Sequence, residues 1–448
     1  MPKYKYPNTV SFFKFLLGVS AIAKNPIPFH NKWFNDVGDT FAIKSPFYGY
    51  IVLTRDASVT KHMLQKNHKV YYKSKIQTTY LSKYVGYGLL TSSGDYWLKQ
   101  RRLIQPAFHK EKINNLVSII EVAIGSNVKN IKDDGLVDLY SIMNELAFDV
   151  VAKSLFNFSA EKDTLIRLQF IIEKLQLFIV KELRLPYKKL WYKLNGDINY
   201  HMKLVKESQD IINNVIEKRR QSKKEHDDLL DMLLKAEYED GSTMTNKQLI
   251  DEILILFVAG HETTANSLTF TLKLLAEHEN VLNKVEAEVK EIASNKLSAL
   301  EEIKSLTYTM SCIEESLRLY PPAWITDRVN IEDDKVDDYF LKKGTILGAS
   351  IYELHRNEKY WKHAEAFKPE RFSKENKKDI MPYYMPFGAG PRLCIGNNFA
   401  MYEMVLAVSA IVKKFNISSD SKKIKINPLI TLKPVDVKLK FTLKGHDK

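Results

Sequence analysis

Apolar positions recur at helical spacing over most of this chain, and the exceptions place the strands. The first apolar run, Val10 to Ala23 in "VSFFKFLLGVSAIA", is interrupted by Lys14 and closed by Lys24 and Pro26. A membrane-spanning helix needs about 20 apolar residues in a row, so this run predicts a helix docked on the fold. Residues 38–54, "GDTFAIKSPFYGYIVLT", predict two short strands around a Ser45-Pro46 turn. From Trp97 to Lys290 the spacing is overwhelmingly helical, with helices expected over 139–156, 165–183 and 202–220. The polar stretch "QSKKEHDD" (221–228) reads as a surface connection.

Thr245 and Gln248 have capping-box spacing ahead of "LIDEILILFVAGHETTANSLTFTLKLLAEH" (249–278). That run is about thirty residues, or ~45 Å at the standard helical rise. It is apolar on most faces, so it predicts a helix buried in the core. Beyond it the pattern becomes mixed: a helix ending at Tyr320-Pro321-Pro322, a hairpin around Lys343-Gly344, a glycine-rich segment at 386–396 with a helix behind it, and a strand pair near 429–443. The expected fold is mainly α with small β-sheets, in one unit spanning 1–448.

Two cysteines in 448 residues exclude a disulfide framework and a cysteine-cluster zinc site, and fit a reducing compartment. The net charge of +13 suits acidic partners. The lysines are, however, spread through a chain rich in Lys, Asn and Ile, so the charge reads mainly as compositional bias. The protein is expected to be soluble and cytoplasmic, with no nucleic-acid partner and no transmembrane segment.

Of the two cysteines, Cys312 in "MSCIEESLR" reads as a small buried residue. Cys394 has a different frame: Phe387-Gly388-x-Gly390-Pro391-Arg392-x-Cys394-x-Gly396, ahead of an apolar helical run. Thiolate is the metal-binding form of cysteine, and a helix N-terminus with converging backbone N–H groups stabilises it. Glycines at 388, 390 and 396 let the backbone approach a flat ligand closely.

This segment resembles the haem-binding loop of the cytochrome P450 family. The resemblance implies haem b with Cys394 as the axial thiolate, Arg392 on a haem propionate, and Phe387, Gly388 and Gly396 framing the cofactor. Thiolate donation to iron favours O–O cleavage. Other segments resemble the family in the same order along the chain. "WLKQR" matches its Trp-x-x-x-Arg helix and implies that Trp97 and Arg101 engage propionates; Arg328 in "WITDRV" is a third such arginine. "ESLR" and "FKPERF" match the family's structural Glu-Arg-Arg cluster, here Glu315, Arg318 and Arg371.

"AGHETT" (259–264) matches the family's oxygen-side motif, which implies room for dioxygen beside Gly260, a hydrogen bond from Thr263 to bound oxygen or water, and proton relay through Glu262. The activity implied is insertion of one oxygen atom of O2 into a substrate C–H bond. Matching positions give Leu89, Leu90, Ala259, Trp324, Ile325 and Leu432 as pocket residues, mainly apolar. They favour a lipophilic substrate such as a fatty acid or terpenoid. An alternative outcome of the same chemistry is O-demethylation of a methylated sugar or aromatic, for which Tyr84, Tyr87, Thr91, Tyr383 and Tyr384 supply polar groups. A non-catalytic haem-thiolate sensor leaves the Glu262-Thr263 pair unexplained. The chain shows no flavin-binding extension, so electrons are expected from a separate ferredoxin or flavodoxin with its NAD(P)H reductase, docking near Lys99, Arg102 and Lys110.

Overall fold

The computed structural model describes residues 4–45, 49–133, 135–157, 162–222, 224, 226, 228–295, 297–419 and 423–445. Pro46 of the expected turn and positions 223, 225 and 227 of the polar connection lie outside them. The strands on either side of that turn are Thr40–Ser45 and Gly49–Thr54, paired antiparallel with Phe41 opposite Leu53.

The three expected helices run over Leu139–Phe156, Lys162–Arg184 and Asp197–Gln221. The central helix is Asn246–Glu277, 32 residues long. Its capping box forms as the spacing predicts: Thr245 Oγ1 accepts the Gln248 N–H at 3.3 Å, and the Gln248 side chain accepts the Thr245 N–H at 2.8 Å. Helix Leu139–Phe156 packs along it, with the Phe148 and Phe156 rings 5.6 Å and 4.7 Å from Phe257. Most hydroxyl side chains in the middle of this buried rod are satisfied locally. Thr263, Thr264, Ser267, Thr269 and Thr271 each donate a hydroxyl hydrogen to the carbonyl four residues back, at 2.7–2.9 Å.

One side of the molecule carries a six-stranded sheet in the order Thr9–Val10, Thr40–Ser45, Gly49–Thr54, Ile346–Ser350, Ile325–Asn330, Tyr71–Tyr72. The strands around Lys343-Gly344 do not form the expected hairpin. Tyr339–Leu341 pairs with Asp334–Val336, whereas Ile346–Ser350 joins the large sheet, so the turn passes the chain between two sheets. The expected strand pair near 429–443 is also two separate pairings: Leu432–Val435 with Lys425–Pro428, and Lys438–Leu443 with Phe415–Ser419 and Leu136–Asp138.

The N-terminal helix, Phe12–Lys24, docks as its length suggests. Phe15 and Ile22 pack on the cluster of Trp33, Phe34 and Phe41, and Arg184 donates to the Ala23 and Lys24 carbonyls at 3.2 Å and 3.1 Å. Among the described residues no helix is long and apolar enough to cross a membrane.

Candidate active site

The cysteine loop is held by its own backbone. Gly388 N–H donates to Met385 O, Leu393 N–H to Gly390 O and Cys394 N–H to Phe387 O, at 2.9–3.0 Å. Gly388 and Gly390 sit at φ +76° and +69°, a region that favours glycine. Their surroundings differ. A Cβ at Gly390 would lie 2.1 Å from the Leu64 carbonyl oxygen, so this glycine permits close approach of another chain segment and not, as the sequence suggested, of a flat ligand. At Gly388 a Cβ would meet nothing within 4 Å. Gly396, with an ordinary φ of −95°, is the N-cap of helix Asn397–Lys414, and its N–H bonds to the Cys394 sulfur.

Cys312 is fully buried, whereas Cys394 is accessible. That access is to an internal space, because the surrounding atoms still desolvate the thiol and push its pKa up; the Gly396 N–H and Arg101 act against that shift. The thiolate support expected from the helix terminus is therefore present but outweighed. A bound metal cation favours the thiolate at this position.

Cations gather beside this loop. Arg392 lies 4.0 Å above the Trp97 ring and donates to Ser92 O at 3.1 Å. Arg101 donates to Leu393 O at 3.1 Å. Arg328 is buried and donates from Nη1 to Thr326 Oγ1 and Asp327 O at 3.1 Å and 2.6 Å. Burial and the neighbouring Arg328 charge push Arg392 down to about 9. Burial, Arg328 and Arg392 likewise push the Lys73 ammonium well down. Asp327 is the carboxylate that offsets both Lys73 and Arg328. Such a cluster stabilises an added anion, and the two propionates of a haem are anions. Lys73 was missed from the sequence because "YYKSK" matches no motif; its amide bonds to Ser93 Oγ at 2.9 Å, which brings it to this rim.

The central helix supplies the opposite wall. From Asp251 to Leu275 every residue is buried except Val258, Ala259, Gly260 and Thr263, which stay partly exposed and so line a gap inside the molecule. Thr263 gives its hydroxyl hydrogen to Ala259 O at 2.7 Å, leaving its oxygen free to accept. Gly260 also serves helix packing: a Cβ there would meet Val151 Cγ2 at 3.2 Å. Glu262 is buried and points elsewhere, since adjacent helix residues diverge by about 100°. Thr431 and Gln176 lie beside its carboxyl. Burial raises its pKa, Lys433 opposes that rise, and Glu173 adds to it.

The expected Glu-Arg-Arg cluster forms in full. Arg318 grips Glu315 with two bonds of 2.7 Å and 2.9 Å, both side chains fully buried, and Arg371 Nε reaches Glu315 Oε1 at 3.2 Å. Arg318 also donates to the carbonyls of His355, Ala364 and Ala366, which ties this helix to the segment ahead of the cysteine loop.

The pocket residues divide. Leu89, Leu90, Ala259 and Ile325 keep partly exposed faces. Leu432 is 0% exposed and Trp324 5%, packed with Ile27 and Phe270 in a core cluster, so neither has a face to offer a ligand. The turn before Leu432 instead contributes Ile430, which, like Leu90 and Val258, is partly exposed and packs against a second core cluster that includes Tyr84 and Ile255. The polar candidates are committed. Tyr84 donates to Glu182 at 2.5 Å, Thr91 to Gly86 O at 2.9 Å and Tyr384 to Glu314 O at 2.9 Å, while Tyr383 stacks on Tyr360 at 4.5 Å. Tyr87 is exposed at the surface. On the proposed docking face, Lys99 and Lys110 are exposed, but Arg102 pairs with Glu239 at 3.1 Å.

A desolvated yet accessible thiol, a rim with excess positive charge and an inner gap in a buried helix fit a thiolate-bound haem. The comparisons agree. The family model "Cytochrome P450" matches residues 5–441. Protein LUTEIN DEFICIENT 5, chloroplastic, of Arabidopsis thaliana is 29% identical over 401 residues, covering 84% of this chain and 66% of its own length. Cyclooctat-9-en-7-ol 5-monooxygenase of Streptomyces melanosporofaciens is 31% identical over 345 residues, 74% of this chain and 73% of its own. Carotene epsilon-monooxygenase, chloroplastic, of Arabidopsis thaliana is 28% identical over 418 residues, 86% and 76%. The chain therefore belongs to the cytochrome P450 family, monooxygenases that carry haem b on an axial cysteine thiolate.

Proposed function

We propose that this enzyme hydroxylates a lipophilic substrate, with Cys394 as its axial ligand and a separate redox protein as electron donor. The observation that carries this reading is the gap along the central helix: Val258, Ala259, Gly260 and Thr263 are its open positions, and the partly exposed residues packed nearby, Leu90 and Ile430, are apolar. A pocket with that lining favours apolar ligands. The Streptomyces and Arabidopsis relatives named for a cyclooctatenol and a carotene support the same substrate class.

Bound haem supplies the iron that activates dioxygen. Trp97, Arg101, Arg328, Arg392 and Lys73 hold its carboxylates, with Phe387, Gly388 and Gly396 framing the ligand loop. Thr263 Oγ1 holds a water or proton donor on the oxygen side, since its own hydrogen is engaged by Ala259 O. Glu262 serves as a proton reservoir behind it. Burial raises its pKa, and Lys433 and Thr431 beside it are partly exposed. Because Glu262 and Thr263 point apart, transfer between them runs through water. An electron donor such as a ferredoxin or flavodoxin with its reductase approaches at Lys99 and Lys110. O-demethylation of a sugar gains less support, because Tyr84, Thr91 and Tyr384 spend their hydroxyls on bonds within the fold and Tyr87 is exposed at the surface.

The test is a ferric spin-state titration of the haem-loaded protein with a long-chain fatty acid and, separately, a methylated sugar. A low-to-high-spin shift with the fatty acid alone is expected. A shift with the sugar alone contradicts the apolar reading and makes formaldehyde release the assay to run.

A further inference from the structure

The segment Lys83–Leu90 carries two of the apolar pocket residues, and three buried carboxylates from two helices hold it. Glu182, on Lys162–Arg184, accepts from Tyr84 OH at 2.5 Å and Lys83 Nζ at 3.1 Å. Asp251 Oδ2 accepts the Tyr87 N–H at 3.1 Å and Lys247 Nζ at 2.9 Å. Glu252 presents both oxygens to the Leu89 N–H, at 3.1 Å and 3.0 Å. The exposures of Glu182, Asp251 and Glu252 are 3%, 2% and 0%. A buried carboxylate is costly unless it is bonded, and here Asp251 and Glu252 each accept a main-chain amide of one loop, with Lys247 a second partner of Asp251.

The loop is shaped to receive them. A Cβ at Gly86 would lie 2.6 Å from Asp251 Oδ1, and one at Gly88 2.6 Å from Glu252 Oε2. Thr91 Oγ1 closes the turn, accepting the Gly88 N–H at 3.0 Å and donating to Gly86 O at 2.9 Å. Glu252 also stands on the pocket-facing stripe of the central helix. Ala259 and Thr263 follow it by seven and eleven residues, which are two and three turns, within about 20° of one line.

We propose that Glu252, supported by Asp251, is a positioning residue that clamps Leu89 and Leu90 against the helix stripe bearing Ala259 and Thr263, and so sets which ligands the pocket accepts. The proposal rests on the haem-thiolate reading above. A ligand large enough to reach the leucines depends on the clamp; a small ligand of iron does not. Glu252→Ala frees the Leu89 amide and lets the roof lift. Glu252→Gln keeps an oxygen to accept it.

The experiment titrates the holoprotein with 4-phenylimidazole and with imidazole, following the Soret band. Glu252→Ala is expected to weaken 4-phenylimidazole about fivefold while imidazole stays within about twofold, as loss of one hydrogen-bonded anchor predicts. Glu252→Gln is expected to recover most of the loss. Gly88→Ala attacks the same clamp from the loop side and is expected to reproduce the selective weakening, so the test survives if Glu252→Ala does not fold. An unchanged ratio of the two affinities in Glu252→Ala or Gly88→Ala, with the thiolate spectrum retained, overturns the clamp. Absence of a thiolate spectrum in the unmodified protein overturns the haem reading instead.

Discussion

Arg392 makes three contacts of different kinds: the Trp97 face, the Ser92 carbonyl and the repelling charge of Arg328. At the residue scale the site is built from such conflicts, each of which a bound partner relieves. The Thr263 hydroxyl is the clearest chemical case. Because its hydrogen is held by Ala259 O, its oxygen is left to act as an acceptor. Thr263→Ala is expected to lower product formation about a hundredfold, the low end of the range for a lost acid–base group, while reductant is still consumed and peroxide accumulates. Unchanged product per reductant would remove Thr263 from the mechanism.

Glu252 makes a second residue-scale prediction. Burial, with the Asp251 charge adding, raises its pKa from 4.5 to about 7, against the pull of the Leu89 amide. Tyr96 and Tyr238 face it from the neighbouring segments, and Lys247 is bonded to Asp251. A folded pKa above the unfolded one means the folded state binds more protons between those values, so stability falls as pH rises through that window. Glu252→Gln cannot titrate. Its stability relative to the parent should therefore rise between pH 5 and 8 by on the order of 3 kcal/mol, read by denaturant unfolding followed in the far-UV. A pH-independent difference would contradict the assigned shift. At this scale the sequence made Glu315, Arg318 and Arg371 legible because their spacing is local or motif-bound. It did not reveal Lys73, the Glu252 clamp or the exchange of Leu432 for Ile430, each of which depends on where a distant backbone turn ends.

At the scale of elements, helices were the most readable because their period and caps are local: Thr245 and Gln248 close as their spacing requires. Strand pairing was not readable, since the partners of Ile346–Ser350 and Lys438–Leu443 come from far along the chain. Glycines were legible as positions and not as purposes. Gly390 presses on Leu64, and Gly260 on Val151. Gly390→Ala combines positive φ with a main-chain clash, and should destabilise the holoprotein by about 2 kcal/mol or more. Gly260→Ala brings its Cβ to 3.2 Å from a buried Val151 methyl but keeps an ordinary φ and gains helix propensity, so it should cost less than Gly390→Ala. Unfolding titrations of the two variants check this ordering, and a reversed order would contradict the packing assigned to the cysteine loop.

For the whole molecule, the central helix joins the parts. Its buried face anchors the helical core, its open stripe walls the pocket, and its first turns hold the roof loop. The Glu315–Arg318–Arg371 network braces the cysteine side, and breaking it leaves a buried charge unpaired, at a cost of about 3–5 kcal/mol. Everything else in the functional account depends on which cysteine meets the iron. The direct measurement is the ferrous–carbon monoxide spectrum of the parent, Cys394→Ser and Cys312→Ser. The account predicts the red-shifted thiolate band in the parent and in Cys312→Ser, and its loss in Cys394→Ser. Retention of that band in Cys394→Ser would contradict the assignment on which the site is built.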